Sequence, residues 1–294
     1  MRSRFTFKKI IVTAVAVVFA ALMLNIGRHF IFPDMSKLKK LNPGKTSFME
    51  YHEDRLRQQG KAVNIRYAWT PLSQISPYVV KAVLIAEDDK FWHHEGFDVD
   101  GMKKALQRDI KKGSLRAGGS TVSQQLAKNL YLTPSRNPVR KIKEAVLTWR
   151  LENNLSKRRI IELYLNVAEW GDGIFGIGIA AQHYFGKPAS ALGPMEAARL
   201  AAVLPNPRSW SPTGTSSYVE NRSRRIYQIM VRRGIVINEY EEVMSAPQGE
   251  TEDNVRGSSE LPRALEVQEE SAANRDQEEP DMKAETPPSK DSFE

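Results

Sequence analysis

Apolar positions along this chain follow three successive patterns. Residues 10–26 read IIVTAVAVVFAALMLNI, apolar on every side and interrupted only by Thr13 and Asn25. A helix built from that run has no polar stripe to turn toward water, and its length approaches what crosses the hydrocarbon core of a bilayer. It exceeds a usual signal-peptide core, and no small-x-small cleavage site follows before Arg28, so an uncleaved membrane anchor is expected. From Ser76 to about Arg233, apolar residues recur every three or four positions, the period of amphipathic helices. From Ser245 onward the periodicity ends and Pro, Ser and Gln become frequent, the composition of a disordered tail.

Within the middle stretch, Ser76-Pro77 predicts a helix start, with serine as cap and proline at the first helical position. Val80, Val83, Leu84 and Glu87 then share one face, so Glu87 continues a buried stripe. Val99, Met102, Leu106 and Ile110 form the apolar side of a basic helix that Gly113 ends; it suits either lipid headgroups or the domain's own surface. Ser120 or Thr121 caps a helix that carries Thr121, Gln125 and Lys128 on one face. Asn137-Pro138 opens a helix over 139–152, and Ser156 opens another over 157–166. Further helices are predicted over 180–184, over 194–204 with Pro205 and Pro207 closing it, and over 217–233 with Gly234 as terminator. Residues 30–71, with Pro33, Pro43 and Gly44, read as a stalk containing one helix over 51–59. No convincing strand set is visible, so the predicted class is all-α, mainly helical. Gly171-x-Gly173-x-x-Gly176 matches a dinucleotide fingerprint, but a helical pattern precedes it and no βαβ unit surrounds it. Tight packing between helices is the expected use of these glycines.

Composition narrows the classes. With 294 residues and 41% hydrophobic content the chain can bury a sizeable core. It has no cysteine, which excludes disulfides, thiolate metal sites and cysteine nucleophiles. The tail from Ser245 holds 14 acidic and 5 basic residues, a charge of −9, so the preceding residues carry +17 against +8 for the whole chain. Such a basic domain beside a membrane anchor suits an anionic lipid surface or a phosphorylated substrate better than nucleic acid. Arg2, Arg4, Lys8 and Lys9 before the anchor are offset by Arg28, Lys37, Lys39 and Lys40 after it. A short basic N-terminus inside, with the large domain outside, is the default orientation.

Candidate chemistry begins at EDDKFWHHEG, residues 87–96. A glutamate on a buried stripe is poorly solvated, its pKa rises, and it becomes able to exchange a proton near neutrality. Acids at a helix C-terminus oppose the macrodipole, so helix stability does not explain them, although a solvated acidic cap is the alternative. In GGSTVSQQLAKN, residues 118–129, free amides at a helix start followed by Gln125 and Lys128 suit a sugar or phosphate; capping with surface polar residues is the alternative. Arg140 and Glu144 lie one turn apart, and with Lys128 and Arg136 they form a basic cluster of pyrophosphate size, against the alternative of solvated surface charge. His93 and His94 lack an H-E-x-x-H spacing and a third ligand, which favours hydrogen bonding over metal ligation.

These two blocks, with RKIKEAVLTWRLE at 140–152, KRRIIELYLNVAEWGDGIFGIGIAAQHYFGK at 157–187 and LGPMEAARLAAVLPNP at 192–207, closely resemble the bacterial peptidoglycan glycosyltransferases that lack a transpeptidase. The resemblance covers roughly residues 71–212, and no Ser-x-x-Lys domain is expected after it. It implies a lysozyme-like helical fold with a small membrane-facing lobe. It implies polymerisation of lipid II, with inverting transfer of the growing chain from its polyprenyl pyrophosphate to the 4-hydroxyl of incoming lipid II. By the same resemblance Glu87 is the general base, and Lys128, Arg136 and Arg140 hold the pyrophosphate. Glu144 is a second acid that orients these cations or helps hold a divalent metal, Mg or Mn; no cofactor is required. Ser120, Thr121, Gln125 and Asn129 fall where the family binds sugar and phosphate. The implied partners are lipid II, the nascent glycan chain and membrane lipids, with other cell-wall synthesis proteins left open and no nucleic acid.

The expected layout is a basic cytoplasmic segment over 1–9, an anchor over 10–27, a stalk over 28–70, the glycosyltransferase domain over 71–244 and the acidic tail over 245–294. It places a single-pass protein in the bacterial cytoplasmic (inner) membrane with its catalytic domain outside. Two rivals remain: a muramidase or lytic transglycosylase, and a non-catalytic scaffold of wall synthesis. The basic cluster argues against the first, since cleaving a glycan leaves no pyrophosphate to neutralise. The acids of the 87–96 stretch would be without purpose in the second.

Overall fold

The computed structural model describes residues 2–111, 119–135 and 137–236. Gly113, Arg136 and the tail over 245–294 lie outside the described residues. The first helix, α1 (Arg2–Gly27), is the one helix among the described residues long and apolar enough to cross a membrane. It is followed by α2 (Ser47–Gln58), which Thr46 caps by accepting the Met49 N–H. Residues expected as a stalk contribute to the folded body: Met35, Leu38, Met49, His52 and Leu56 are all buried.

Two groups of helices build the core. In one, α3 (Pro77–Glu87) and α10 (Ser217–Arg232) pack on α9 (Pro194–Val203). The alanines at 197, 198, 201 and 202 of α9 are fully buried and let its neighbours approach closely. In the other group, α5 (Val122–Tyr131) packs against α6 (Pro138–Asn154) and α7 (Lys157–Val167). Val83, Phe91, Leu126, Leu147, Ile161 and Leu200 belong to one continuous apolar cluster that joins the groups. Asn137 caps α6 through the Val139 N–H with Pro138 in its first turn, and Ser156 caps α7 through the Arg159 N–H, as the sequence predicts.

The helix α4 (Val99–Lys111) turns its predicted apolar residues outward: Val99, Met102, Leu106 and Ile110 are exposed. The helix α8 (Ile177–Phe185) ends at Gly186 in the left-handed region.

The expectation of no strands is corrected by a small three-stranded sheet. In it β1 (Arg66–Tyr67) pairs in parallel with β3 (Ile174–Phe175), which pairs antiparallel with β2 (Glu169–Gly171). Strands of two or three residues are too short to display an alternating pattern. The same sheet reassigns the glycine motif. Gly171 and Gly173 belong to the β2–β3 hairpin and not to a helix–helix contact. Gly173 has φ +70°, and a Cβ there would run into the Asn64 carbonyl oxygen. An antiparallel hairpin replaces the parallel crossover that a dinucleotide site needs. A second correction concerns Ser76. Pro77 does open α3, but the Ser76 hydroxyl makes no cap and instead donates to the Leu192 carbonyl at 2.8 Å.

Candidate active site

Glu87 is the last residue of α3, and its side chain is only 13% exposed. Burial raises its pKa above the ordinary carboxylate value, opposed by a hydrogen bond from Gln125 and by the charges of Arg222 and Lys128. Its two oxygens are held separately. Oε2 accepts the Gln125 amide at 2.9 Å, and Oε1 accepts Arg222 Nη2 at 3.0 Å. Gln125 is itself oriented by Tyr164, whose hydroxyl donates to the amide oxygen at 2.9 Å. Tyr164 is buried, which together with the charges of Glu87 and Asp88 holds its phenol protonated far above the usual value.

Asp88 and Asp89 point elsewhere. Asp88 is buried and bonds to the Val122 N–H at 2.9 Å and to His94 Nε2 at 2.8 Å. Asp89 forms a two-pronged pair with Arg233 at the surface. His94 therefore makes hydrogen bonds, in keeping with its spacing, while His93 is exposed.

Five of the other candidates, Ser120, Thr121, Gln125, Lys128 and Asn129, line two hollows that are linked by the Glu87–Gln125 hydrogen bond. One is lined by Glu87, Asp88, Asp98, Gly119, Ser120 and Thr121. The other is lined by Phe48, Gln125, Lys128, Asn129, Tyr164, Asn206 and Arg208. Thr121 is the cap of α5, in a full capping box with Gln124. It is almost wholly buried, and its hydroxyl donates to the Gly96 carbonyl at 2.7 Å, so it shapes the site from inside the fold. Lys128 is a cation whose burial lowers its pKa, with Glu144 raising it and Arg140 and Lys141 lowering it further. Arg140 and Lys141 bracket Glu144, which is buried; Arg140 Nη1 donates to Oε2 at 2.5 Å and Lys141 to Oε1. Lys141 also reaches the Ser120 hydroxyl at 3.4 Å. The structure thus brings Glu87, Ser120, Gln125, Lys128, Arg140 and Glu144 into one region.

Several contributors have no place in the candidate set. Lys141 stands beside Arg140 in the same helical turn, a signal that was available. Tyr164 lies in the motif over 157–187 but reads there as a core aromatic. Arg222 is 135 residues from Glu87 and carries no local signal. Phe48 and Arg208 are joined by a stack, with the guanidinium 5.7 Å from the ring centroid.

Metal binding can be tested on the donor sets. Both Glu144 oxygens already face cations, so a divalent ion there would sit against Arg140 and Lys141, and the residues do not fit one. Among the described residues one other group has metal-compatible spacing, His52, Glu169 and Asp172. Its carboxylates are also engaged, Glu169 by Arg208 at 2.9 and 3.0 Å and Asp172 by Arg55 at 3.2 Å.

A buried carboxylate, an array of cations and a helical body are set by residues spread over most of the chain, and comparison with known proteins covers the same span. A family model described as Transglycosylase matches residues 53–231. The chain belongs to the transglycosylase family. The family is lysozyme-like and mainly helical, in agreement with the helices described above. A protein of Azoarcus sp. named Biosynthetic peptidoglycan transglycosylase is 50% identical over 195 residues, 66% of this chain and 84% of that protein. Proteins with the same name from Nitrosospira multiformis and Chromobacterium violaceum are 41% and 42% identical over 78% of this chain and 97% of their own length. The family span takes in α3, α5, α6, α7 and α10 up to Val231, and so includes Gln125, Arg140, Lys141 and Arg222, the residues whose side chains bond to the carboxylate of Glu87 or Glu144 among the described residues.

Proposed function

We infer that this chain is a peptidoglycan glycosyltransferase that polymerises lipid II, with Glu87 as general base. The observation that carries the reading is the Glu87 carboxylate, desolvated and held at both oxygens, beside the buried cation Lys128. A carboxylate whose proton affinity is raised by burial accepts the proton of a sugar hydroxyl more readily than a solvated one. In the proposed step Glu87 removes the proton of the acceptor 4-hydroxyl, and that oxygen attacks the anomeric carbon of the growing chain. The bond from that carbon to the pyrophosphate oxygen breaks on the opposite face, so the carbon inverts.

The departing pyrophosphate takes the bonding pair and needs cations rather than a proton donor. Lys128 and Arg140 meet that charge, joined by Arg136 from the sequence pattern and by Lys141. Glu144 holds Arg140 and Lys141 in place before substrate arrives, and an anion of higher charge competes for them as it binds. Ser120, Gln125 and Asn129 supply hydroxyl and amide groups for sugar hydroxyls and phosphate oxygens. No step in this scheme calls for a metal or other cofactor.

A membrane setting is supported by the length and apolar character of α1 and suits the lipid tail of the substrate. α1 anchors the chain in the cytoplasmic membrane, and the domain faces the side where lipid II is consumed. The test is incubation of the purified full chain with labelled lipid II, and separately with preformed peptidoglycan. Glycan polymer from lipid II supports the reading; shortening of preformed strands without polymer formation would point to a cleaving enzyme, and no turnover of either to a scaffold.

A further inference from the structure

We propose that Arg222 is a positioning residue for the transfer reaction: its guanidinium aims the Glu87 carboxylate and keeps it in the ionised form that can accept a proton. The inference rests on the reading of Glu87 as base. Arg222 Nη2 lies 3.0 Å from Glu87 Oε1 and 3.1 Å from the Ala86 carbonyl oxygen, so one nitrogen of a planar group grips both the carboxylate and the end of its helix. The Ala86 carbonyl lies in the final turn of α3, where intrahelical donors run out. Arg222 Nε is buried without a partner, the polar cost of holding the guanidinium in this pose.

The charges around Glu87 show why this one contact matters. From α10 comes Arg222, from α5 come Gln125 and Lys128, and from α7 the neutral phenol of Tyr164 reaches Gln125. On its own element, Asp88 is turned to Val122 and His94, and Asp89 to Arg233. Among the described residues Arg222 is the cation paired directly with the Glu87 carboxylate. Lys128 also acts on Glu87 through its charge, which it shares with Glu144, Arg140 and Lys141. Burial favours the protonated, non-basic form of Glu87, and the guanidinium opposes it.

Removing the positive charge should therefore move the acid limb of the rate to higher pH. Initial rates of lipid II polymerisation by the full chain in detergent, followed from about pH 5 to 9, read this directly. Arg222→Gln is expected to lose about tenfold in kcat at neutral pH, with the deficit narrowing as pH rises and KM for lipid II little changed. Arg222→Lys keeps the charge but not the fork, so it should keep the limb in place while kcat falls about threefold or more at every pH.

An unshifted limb in Arg222→Gln, or a loss equal at all pH values, overturns the proposal. If Arg222→Gln does not fold, as judged by thermal unfolding, Arg222→Lys decides, and a wild-type kcat from it overturns the proposal. Glu87→Gln separates the two levels: wild-type activity from it removes the base reading itself, whereas an inactive Glu87→Gln beside an unshifted Arg222→Gln removes only the role of Arg222.

Discussion

Asp88 Oδ2 accepts the backbone N–H of Val122 at 2.9 Å, so the residue that follows α3 closes the first turn of α5. Its other oxygen pairs with His94 Nε2, His94 Nδ1 accepts the Gly96 N–H at 3.1 Å, and the Gly96 carbonyl accepts the Thr121 hydroxyl. The network returns to its start through the Thr121–Val122 peptide. With Nδ1 accepting from Gly96, Nε2 is the ring nitrogen that faces Asp88. The acids at the end of α3 are thus not spent against the dipole of their own helix; one of them serves the N-terminus of the next. Asp88→Ala leaves a buried N–H and a buried imidazole unpaired. It is expected to destabilise the protein by about 2–3 kcal/mol. Thermal or urea unfolding of the full chain in detergent checks this, and wild-type stability would contradict it.

Glu87 should show the opposite sign. A carboxylate whose folded pKa is raised contributes stability below its unfolded pKa and loses it as pH rises through the folded value. At neutral pH its ionised form is therefore a cost to the fold. Glu87→Gln removes that cost, and thermal unfolding at neutral pH should place it at or above the wild-type midpoint. A large drop would mean that the Arg222 pair outweighs the desolvation.

Lys128 is placed in the same way. Burial lowers its pKa, so at neutral pH the charged form opposes folding while it serves the substrate. Lys128→Met is expected to lower kcat/KM on lipid II on the order of a hundredfold with no loss of stability. A variant with wild-type kcat/KM would take Lys128 out of the pyrophosphate site.

Gly173 tests the hairpin assignment. At φ +70° an alanine is strained, and its methyl meets the Asn64 carbonyl. Gly173→Ala should cost about 1–3 kcal/mol in an unfolding experiment. A neutral effect would contradict the turn described here.

Much of this site was legible in the sequence because its parts are local. The end of α3, the capped start of α5 and the Arg140–Glu144 turn each announce themselves through spacing within a dozen residues, and Glu87 falls on the buried stripe that the pattern predicts. What was not legible depends on contacts far apart in the chain. Ser76 sits where a cap belongs, but the nearby Leu192 carbonyl takes its hydroxyl. Arg222 reads as one charge among many on the last helix, and only the packing of α10 beside α3 gives it a carboxylate. The glycines of 171–176 carried a real signal of backbone conformation, but β2 and β3 are too short for their pairing to register as strands.

The most direct test of the account is glycan synthesis from labelled lipid II by wild-type protein and by Glu87→Gln under identical conditions. The account predicts polymer from the wild type and a loss of at least a hundredfold from a Glu87→Gln protein that remains folded. Polymer at the wild-type rate from that variant would contradict it.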